Sequence, residues 1–362
     1  MPAATPDLVF GRSRPEDLPA LARHLEDRYG IRISRLAPID DDPATRPRGS
    51  WPGRRPATLV LDREDGPSWI ARVHSSPADT VERVRGDARI LRYLQEQDYP
   101  AERPAAAEPV SVFEGAGVLV TELLPGGRPG DGQDGGTPSD LHRELGALLG
   151  RLHALPRADG AMSRDGGAEE ADGGHHVGRP GQDLVAARSF LAAARRQAPP
   201  EADAALSVLH DQLDRADDAE GLPEALTHAN FHAWAAVGVP GALSIVGWAG
   251  SGRGPRLPAL AWLLRTAAEV DETLVDAVLD GYREHSALIP EEIHRLPGVL
   301  TVRPLWLACL DAWFTVRAGG LPDPASGWAA DPAGRAHRIA ARVADRLAAT
   351  RRPDRRGGAG GC

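Results

Sequence analysis

Leu226-Thr227-His228-Ala229-Asn230-Phe231-His232-Ala233-Trp234-Ala235 sets two imidazoles and an amide at alternate positions of a mostly apolar decapeptide. A few residues on, Leu243-Ser244-Ile245-Val246-Gly247-Trp248 reads as an apolar strand that closes on a glycine and a tryptophan. His228 and His232 are the titratable groups of the pair of segments, with side chains that change charge near neutrality. Asn230 carries a neutral amide with no basicity near pH 7. Ala235 and Gly247 have no side-chain oxygen. Trp234 introduces a large ring, which either fills space or stacks on a ligand.

The two segments together resemble the catalytic core of the aminoglycoside phosphotransferase and choline kinase-like family, which has a protein-kinase-like fold. In that family the first segment usually reads His-Gly-Asp-x-His-x-x-Asn and the second ends in Asp-Trp. The resemblance puts the family's catalytic Asp on Asn230, its metal-binding Asn on Ala235 and its metal-binding Asp on Gly247. Farther along, Gly252-Arg253-Gly254-Pro255-Arg256-Leu257-Pro258-Ala259-Leu260-Ala261-Trp262 is similar to the family's Gly-x-Gly-Pro-x-x-x-Asp-Leu-Ala, with Ala259 in place of the acid. Arg72 falls where the family has a Lys or Arg on its third strand, and Asp87 where the next helix supplies a Glu. The resemblance therefore implies either an Arg72–Asp87 pair that holds the small lobe together, or an Arg72 that binds an anionic group of a ligand.

Phosphoryl transfer in such a fold is mostly positioning and charge neutralisation. Loss of a general base costs about 10² to 10⁴ in rate, and magnesium is a hard ion that needs oxygen ligands. The expectation is a pseudokinase, a kinase fold that keeps no metal and no nucleotide cofactor. The acidic run Pro38-Ile39-Asp40-Asp41-Asp42-Pro43 between the first two strands repels a triphosphate if it faces the cleft, and is a plain exposed turn if it does not. His228 and His232 match histidines of the family motif. They either orient the loop by hydrogen bonds or, with Arg72, act as acid and base in different chemistry.

Composition narrows the classes. The 362 residues suffice for one large domain or two lobes, and hydrophobic and charged contents of 42% and 26% are those of an ordinary folded protein. Net charge of −9 argues against a general nucleic-acid binder. No apolar run approaches the roughly 18 residues of a membrane helix, and the N-terminal segment lacks the pattern of a secretion signal. Cys309 and Cys362 suggest no disulfide framework, so a cytoplasmic protein is expected. All 42 cationic residues are arginine. There is accordingly no phosphate-loop lysine, no Schiff-base lysine and no kinase lysine, and arginine does not readily give up its proton.

The organisation predicted is α+β and two-lobed, with a small, mainly β lobe over 1–125 and a mainly helical lobe over 126–350. Ile31–Leu36 alternates as a strand, and Thr58–Leu61 and Trp69–Val73 flank Asp65-Gly66-Pro67 as a hairpin. Val81–Gln97 is a helix and Val118–Leu123 a strand. In the large lobe Ser139 is placed to cap a helix through Ala154 with leucines at helical spacing. The wording of Glu144 to Pro156 closely resembles the family's first large-lobe helix. Further helices are predicted near 183–197, 201–217, 256–270, 271–286, 291–318 and 333–350. Residues 157–182 read as an exposed insertion and 351–362 as a disordered tail. His175-His176 lacks a third ligand nearby in sequence, so no metal site is expected there.

Function is then expected to centre on the old cleft, with Arg72, Asp87, Asn230 and Trp234 as ligand-binding candidates and His228, His232 and Arg72 as catalytic ones. The ligand class is a peptide or small molecule, with a biosynthetic enzyme as a possible partner and neither nucleic acid nor membrane. Kinase-like proteins of this kind occur in natural-product pathways that modify ribosomal peptides. That makes a non-phosphoryl step, such as thiol addition during peptide cyclisation, one reading. A non-catalytic scaffold is a second, and an active phosphotransferase with rearranged residues a third.

Overall fold

The computed structural model describes residues 18–39, 57–74, 81–127, 129, 136–156, 183–325 and 327–350. The chain is α+β and divides into two compact units. The first takes in 1–131, 156–178 and 235–253, and the second 132–155, 179–234 and 254–362.

In the first unit, α1 (Leu18–Tyr29) precedes β1 (Ile33–Pro38), β2 (Ala57–Arg63) and β3 (Trp69–His74); α2 (Val81–Glu96) leads to β4 (Val110–Phe113) and β5 (Ala116–Glu122). The five strands form an antiparallel sheet in the order β1-β2-β3-β5-β4. The predicted hairpin is β2–β3, with Leu61 opposite Trp69. Its turn is held by Arg63, which bonds Asp65 at 3.0 Å and lies 4.4 Å over the Trp69 ring. Leu59 and Leu61, Ala71 and Val73, and Val118 and Val120 occupy alternate strand positions and therefore share one face. Leu21 and Leu25 of α1 cover that face. This helix is not among the predicted elements. Arg72 and Thr121 fall between those core positions and so point to the opposite face, where Arg72 is paired with Leu119 across β3 and β5.

The second unit is helical. It comprises α3 (Pro138–His153), α4 (Asp183–Gln197), α5 (Asp203–Leu213), the strand β6 (Glu224–Thr227), α6 (Leu257–Val270), α7 (Leu274–Tyr282), α8 (Pro290–Arg317) and α9 (Pro332–Thr350). The cap of α3 is Thr137 and not Ser139. The Thr137 hydroxyl accepts the Asp140 N–H at 3.2 Å, and the Asp140 carboxylate accepts the Thr137 N–H at 3.0 Å. The glycines of the resemblance-bearing helix are explained by contact with α7. A Cβ on Gly146 would lie 2.1 Å from the Val278 carbonyl oxygen, and one on Gly281 would lie 1.9 Å from that of Arg143. Bare backbone lets the two helices touch.

The helix α8 is long and apolar enough to cross a membrane, yet 72% of its apolar window is buried among its neighbours. It packs against α4, α5 and α9. On α9, Arg335, Arg338, Arg342 and Arg346 pair with Glu269, Glu272, Asp276 and Asp280 at a constant 66-residue offset. Residues 157–182, 351–362, Asp40–Asp42 and His175-His176 lie outside the described residues.

Candidate functional site

Leu226 and Thr227 end β6, and His228 to Ala235 follow it. His228 is buried, and its Nδ1 accepts the backbone N–H of Asn230 at 3.1 Å. The ring meets Phe231, which is fully buried, edge to face. This is the loop-orienting role, made by an i to i+2 bond that the alternate spacing permits.

The Asn230 side chain is held from two sides. Trp262 of α6 donates its indole N–H to Asn230 Oδ1 at 3.0 Å. An indole can only donate, which fixes the amide orientation and turns Nδ2 toward His232 Nε2 at 2.9 Å. The other nitrogen of His232, Nδ1, faces the Trp234 N–H at 3.3 Å. A neutral imidazole carries one N–H and one lone pair, so with Nδ1 accepting from Trp234 the proton sits on Nε2, in close approach to the Asn230 amide.

Beneath the loop lies Arg303 of α8, a buried residue that sequence reasoning passed over. It donates to the Ala229 carbonyl, pairs with Asp183 at 3.2 Å, and lies 5.8 Å and 5.2 Å from the Trp262 and Trp306 ring centroids. Burial pushes the Asp183 carboxyl above its ordinary pKa, and Arg303 opposes that shift. The aromatic line continues from His232 through Trp262 to Trp328, with centroids 6.3 Å and 5.5 Å apart. Trp328 in turn lies under the buried guanidinium of Arg265 at 5.9 Å. Trp234 is 48% exposed, so it is a surface ring and not a plug. The surface beside Asn230 is thus aromatic, with the cations buried behind it.

The other positions lie in the first unit. Ala235 is buried and leads into the short strand β7 (Ala236–Val237), which pairs with β8 (Ser244–Ile245). Gly247 follows with φ +82°, a conformation that favours glycine. Trp248 is buried and anchors the turn by donating its indole N–H to the Ile245 carbonyl at 2.9 Å. Arg72 does not make the predicted pair with Asp87. Its guanidinium goes to Glu102 at 2.5 Å and to the Thr121 hydroxyl at 3.2 Å. Asp87 is buried on α2. The structure therefore brings His228, Asn230, His232 and Trp234 together in one unit and sets Arg72 and Asp87 in the other.

None of positions 230, 235 and 247 carries a carboxylate. Position 230 offers an amide oxygen already bonded to Trp262, and positions 235 and 247 offer no side-chain oxygen. Among the described residues no three His, Cys, Asp or Glu side chains gather as a metal site.

The sheet of the first unit, the helices of the second and the loop between β6 and β7 define a kinase-like fold. Residues 52–297 match the phosphotransferase enzyme family, APH, and the chain belongs to that family. Solved structures agree on the fold. An amicoumacin kinase, hAmiN, in complex with AMP-PNP, Ca2+ and Ami, is 15% identical at a TM-score of 0.57, over 92% of this chain and 96% of that one. The spectinomycin phosphotransferase APH(9)-Ia with ADP and spectinomycin is 14% identical at 0.56, over 94% and 96%. The choline kinase LicA from Streptococcus pneumoniae is 11% identical at 0.54, over 90% and 98%. No curated protein matches the sequence.

Proposed function

We propose that this chain is a pseudokinase of the phosphotransferase family, which does not transfer phosphate and which binds a peptide or small molecule at the loop carrying Asn230. One observation carries the reading. The side chain standing where the family has its catalytic carboxylate is an amide locked between Trp262 and His232. It has no proton-accepting group to give an acceptor hydroxyl, and its orientation is fixed by an indole.

Ligand binding is favoured over catalysis because the His232 ring is held within the loop, with its Nδ1 lone pair taken by the Trp234 N–H and its Nε2 against the Asn230 amide. The exposed ring of Trp234 and the partly exposed Trp262 supply flat apolar area beside the polar tips of Asn230 and His232, which suits peptide side chains and planar small molecules. A place in a bacterial peptide-modifying pathway, acting in the cytoplasm alone or with a biosynthetic enzyme, is part of this proposal. So is thiol addition to a dehydrated residue, should the protein prove catalytic.

The test is thermal shift and calorimetry with Mg-ATP. No appreciable stabilisation is expected, and Asn230→Asp alone creates no kinase activity because positions 235 and 247 still lack oxygens. Magnesium-dependent ATP binding in the low micromolar range would refute the proposal. Ligand screening of the wild-type protein against Trp234→Ala then reports whether the loop is the binding surface.

A further inference from the structure

The partner that Arg72 has in place of Asp87 has a wider meaning. Glu102 is 3% exposed, and its two carboxylate oxygens receive four donors from separate parts of the first unit. Oε2 takes the Arg72 guanidinium at 2.5 Å and the Thr121 hydroxyl at 3.1 Å. Oε1 takes the backbone N–H groups of Gly247 at 3.0 Å and Trp248 at 3.5 Å. Arg72 also donates to Thr121 at 3.2 Å, which ties the cation and the hydroxyl into one group.

A cation, a hydroxyl and two consecutive backbone amides that converge on one point form a cradle for an oxyanion. The positive φ of Gly247 allows the backbone to turn its amide to that point. The occupant is delivered by the chain itself. The Glu102 N–H donates to the Ile245 carbonyl at 3.1 Å, and the Ile245 N–H to that of Pro100 at 2.8 Å, so the residues around Glu102 are laced to β8 just before Gly247. A tethered carboxylate has no translational entropy to lose and outcompetes a free anion of similar strength.

We propose that Arg72, Thr121 and the Gly247–Trp248 amides form an oxyanion site that is filled by the protein's own Glu102. Arg72 is thereby closed to anionic ligands in the resting protein, and an external phosphate or carboxylate enters only when the Glu102 side chain is removed or withdrawn. This does not rest on the ligand assigned to the Asn230 loop. It adds a second barrier to nucleotide phosphates, independent of the missing metal ligands.

The experiment uses the full chain and inorganic phosphate as probe, with chloride at matched ionic strength as control. Glu102→Ala should bind phosphate saturably and more tightly than wild type by roughly tenfold or more, read by calorimetry and by phosphate-dependent thermal stabilisation. Arg72→Met in the Glu102→Ala background should abolish the gain. Because one-sided removal of a buried pair is costly, Glu102→Ala is also prepared in formate and in phosphate. Recovery of the folded protein by either anion supports the site. Phosphate binding by wild type as tight as by Glu102→Ala overturns it. So does a folded Glu102→Ala that ignores phosphate, or an unfolded one that neither anion recovers; in those cases the Arg72–Glu102 pair is structural only.

Discussion

Arg303 holds the loop of the candidate site from below, and Arg303→Met should show it. The substitution keeps an apolar stem and removes the guanidinium, with it the 3.2 Å ion pair to Asp183, the bond to the Ala229 carbonyl and the contacts with Trp262 and Trp306. Breaking a buried pair from one side costs about 3–5 kcal/mol. The Asp183 side chain keeps 18% of its surface exposed, so the low end, about 3 kcal/mol, is expected. The pH dependence identifies the cause. Burial raises the pKa of Asp183 above its ordinary 3.8, and the loss of Arg303 raises it further. An acid whose folded pKa lies above its unfolded one keeps its proton in the native state where the unfolded chain has released it. Stability is therefore lost as pH rises through that window and regained on acidification. The deficit of Arg303→Met should be largest at neutral pH and shrink toward pH 4. Urea unfolding followed by far-UV circular dichroism at several pH values measures it. A deficit unchanged by acid, or one that Asp183→Asn fails to relieve at neutral pH, would refute the reasoning.

Other consequences can be checked the same way. Gly281→Ala should cost about 3 kcal/mol or more in denaturant unfolding, since the new methyl would sit 1.9 Å from the Arg143 carbonyl oxygen and both are backbone-fixed. Trp262→Phe should cost about 1–3 kcal/mol, the cost of leaving an acceptor unpaired, while visibly shifting the side-chain amide signals of Asn230 in an NMR spectrum. His153, buried against Tyr282, has its pKa pushed down to about 3 from 6.5 by burial. Its native form binds fewer protons, so stability should fall as pH drops from 6.5 toward 3, and His153→Phe should flatten that slope.

Much of the fold could be read from local pattern. The hairpin of β2 and β3 is legible as two strand-like runs flanking Asp65-Gly66-Pro67, and α4 falls on the predicted 183–197. The glycines of α3 were recognisable as a family signature, although their reason, contact with α7, lies over 120 residues away. What local pattern could not show were pairings between distant residues. Glu102 sits in Pro100-Ala101-Glu102-Arg103-Pro104, which carries no sign of chemistry, and its amide partners are 145 and 146 residues on. Trp262 was on the page within a recognised motif, but nothing in its spacing told that its N–H would meet Asn230. Ser139 and Thr137 are both good capping residues by type, but only Thr137 has an acid three residues later.

The arginine ladder of α9 has a property that its distances do not reveal. Its rungs are spaced three, four and four residues apart on both sides, Arg335 to Arg346 matching Glu269 to Asp280. Slide α9 by about one turn and Arg338, Arg342 and Arg346 come near Glu269, Glu272 and Asp276, shifts of three, four and four residues, with an end pair forfeited. Partly exposed pairs are each worth about 1 kcal/mol or less, so charge alone barely distinguishes the two alignments. The discrimination falls to the apolar side of the helix, where Ala336, Ile339, Val343 and Leu347 are buried at the same spacing and a slip would set each in a socket shaped for a side chain of different size. The ladder is adhesive without an address; the address is written in four small and branched side chains.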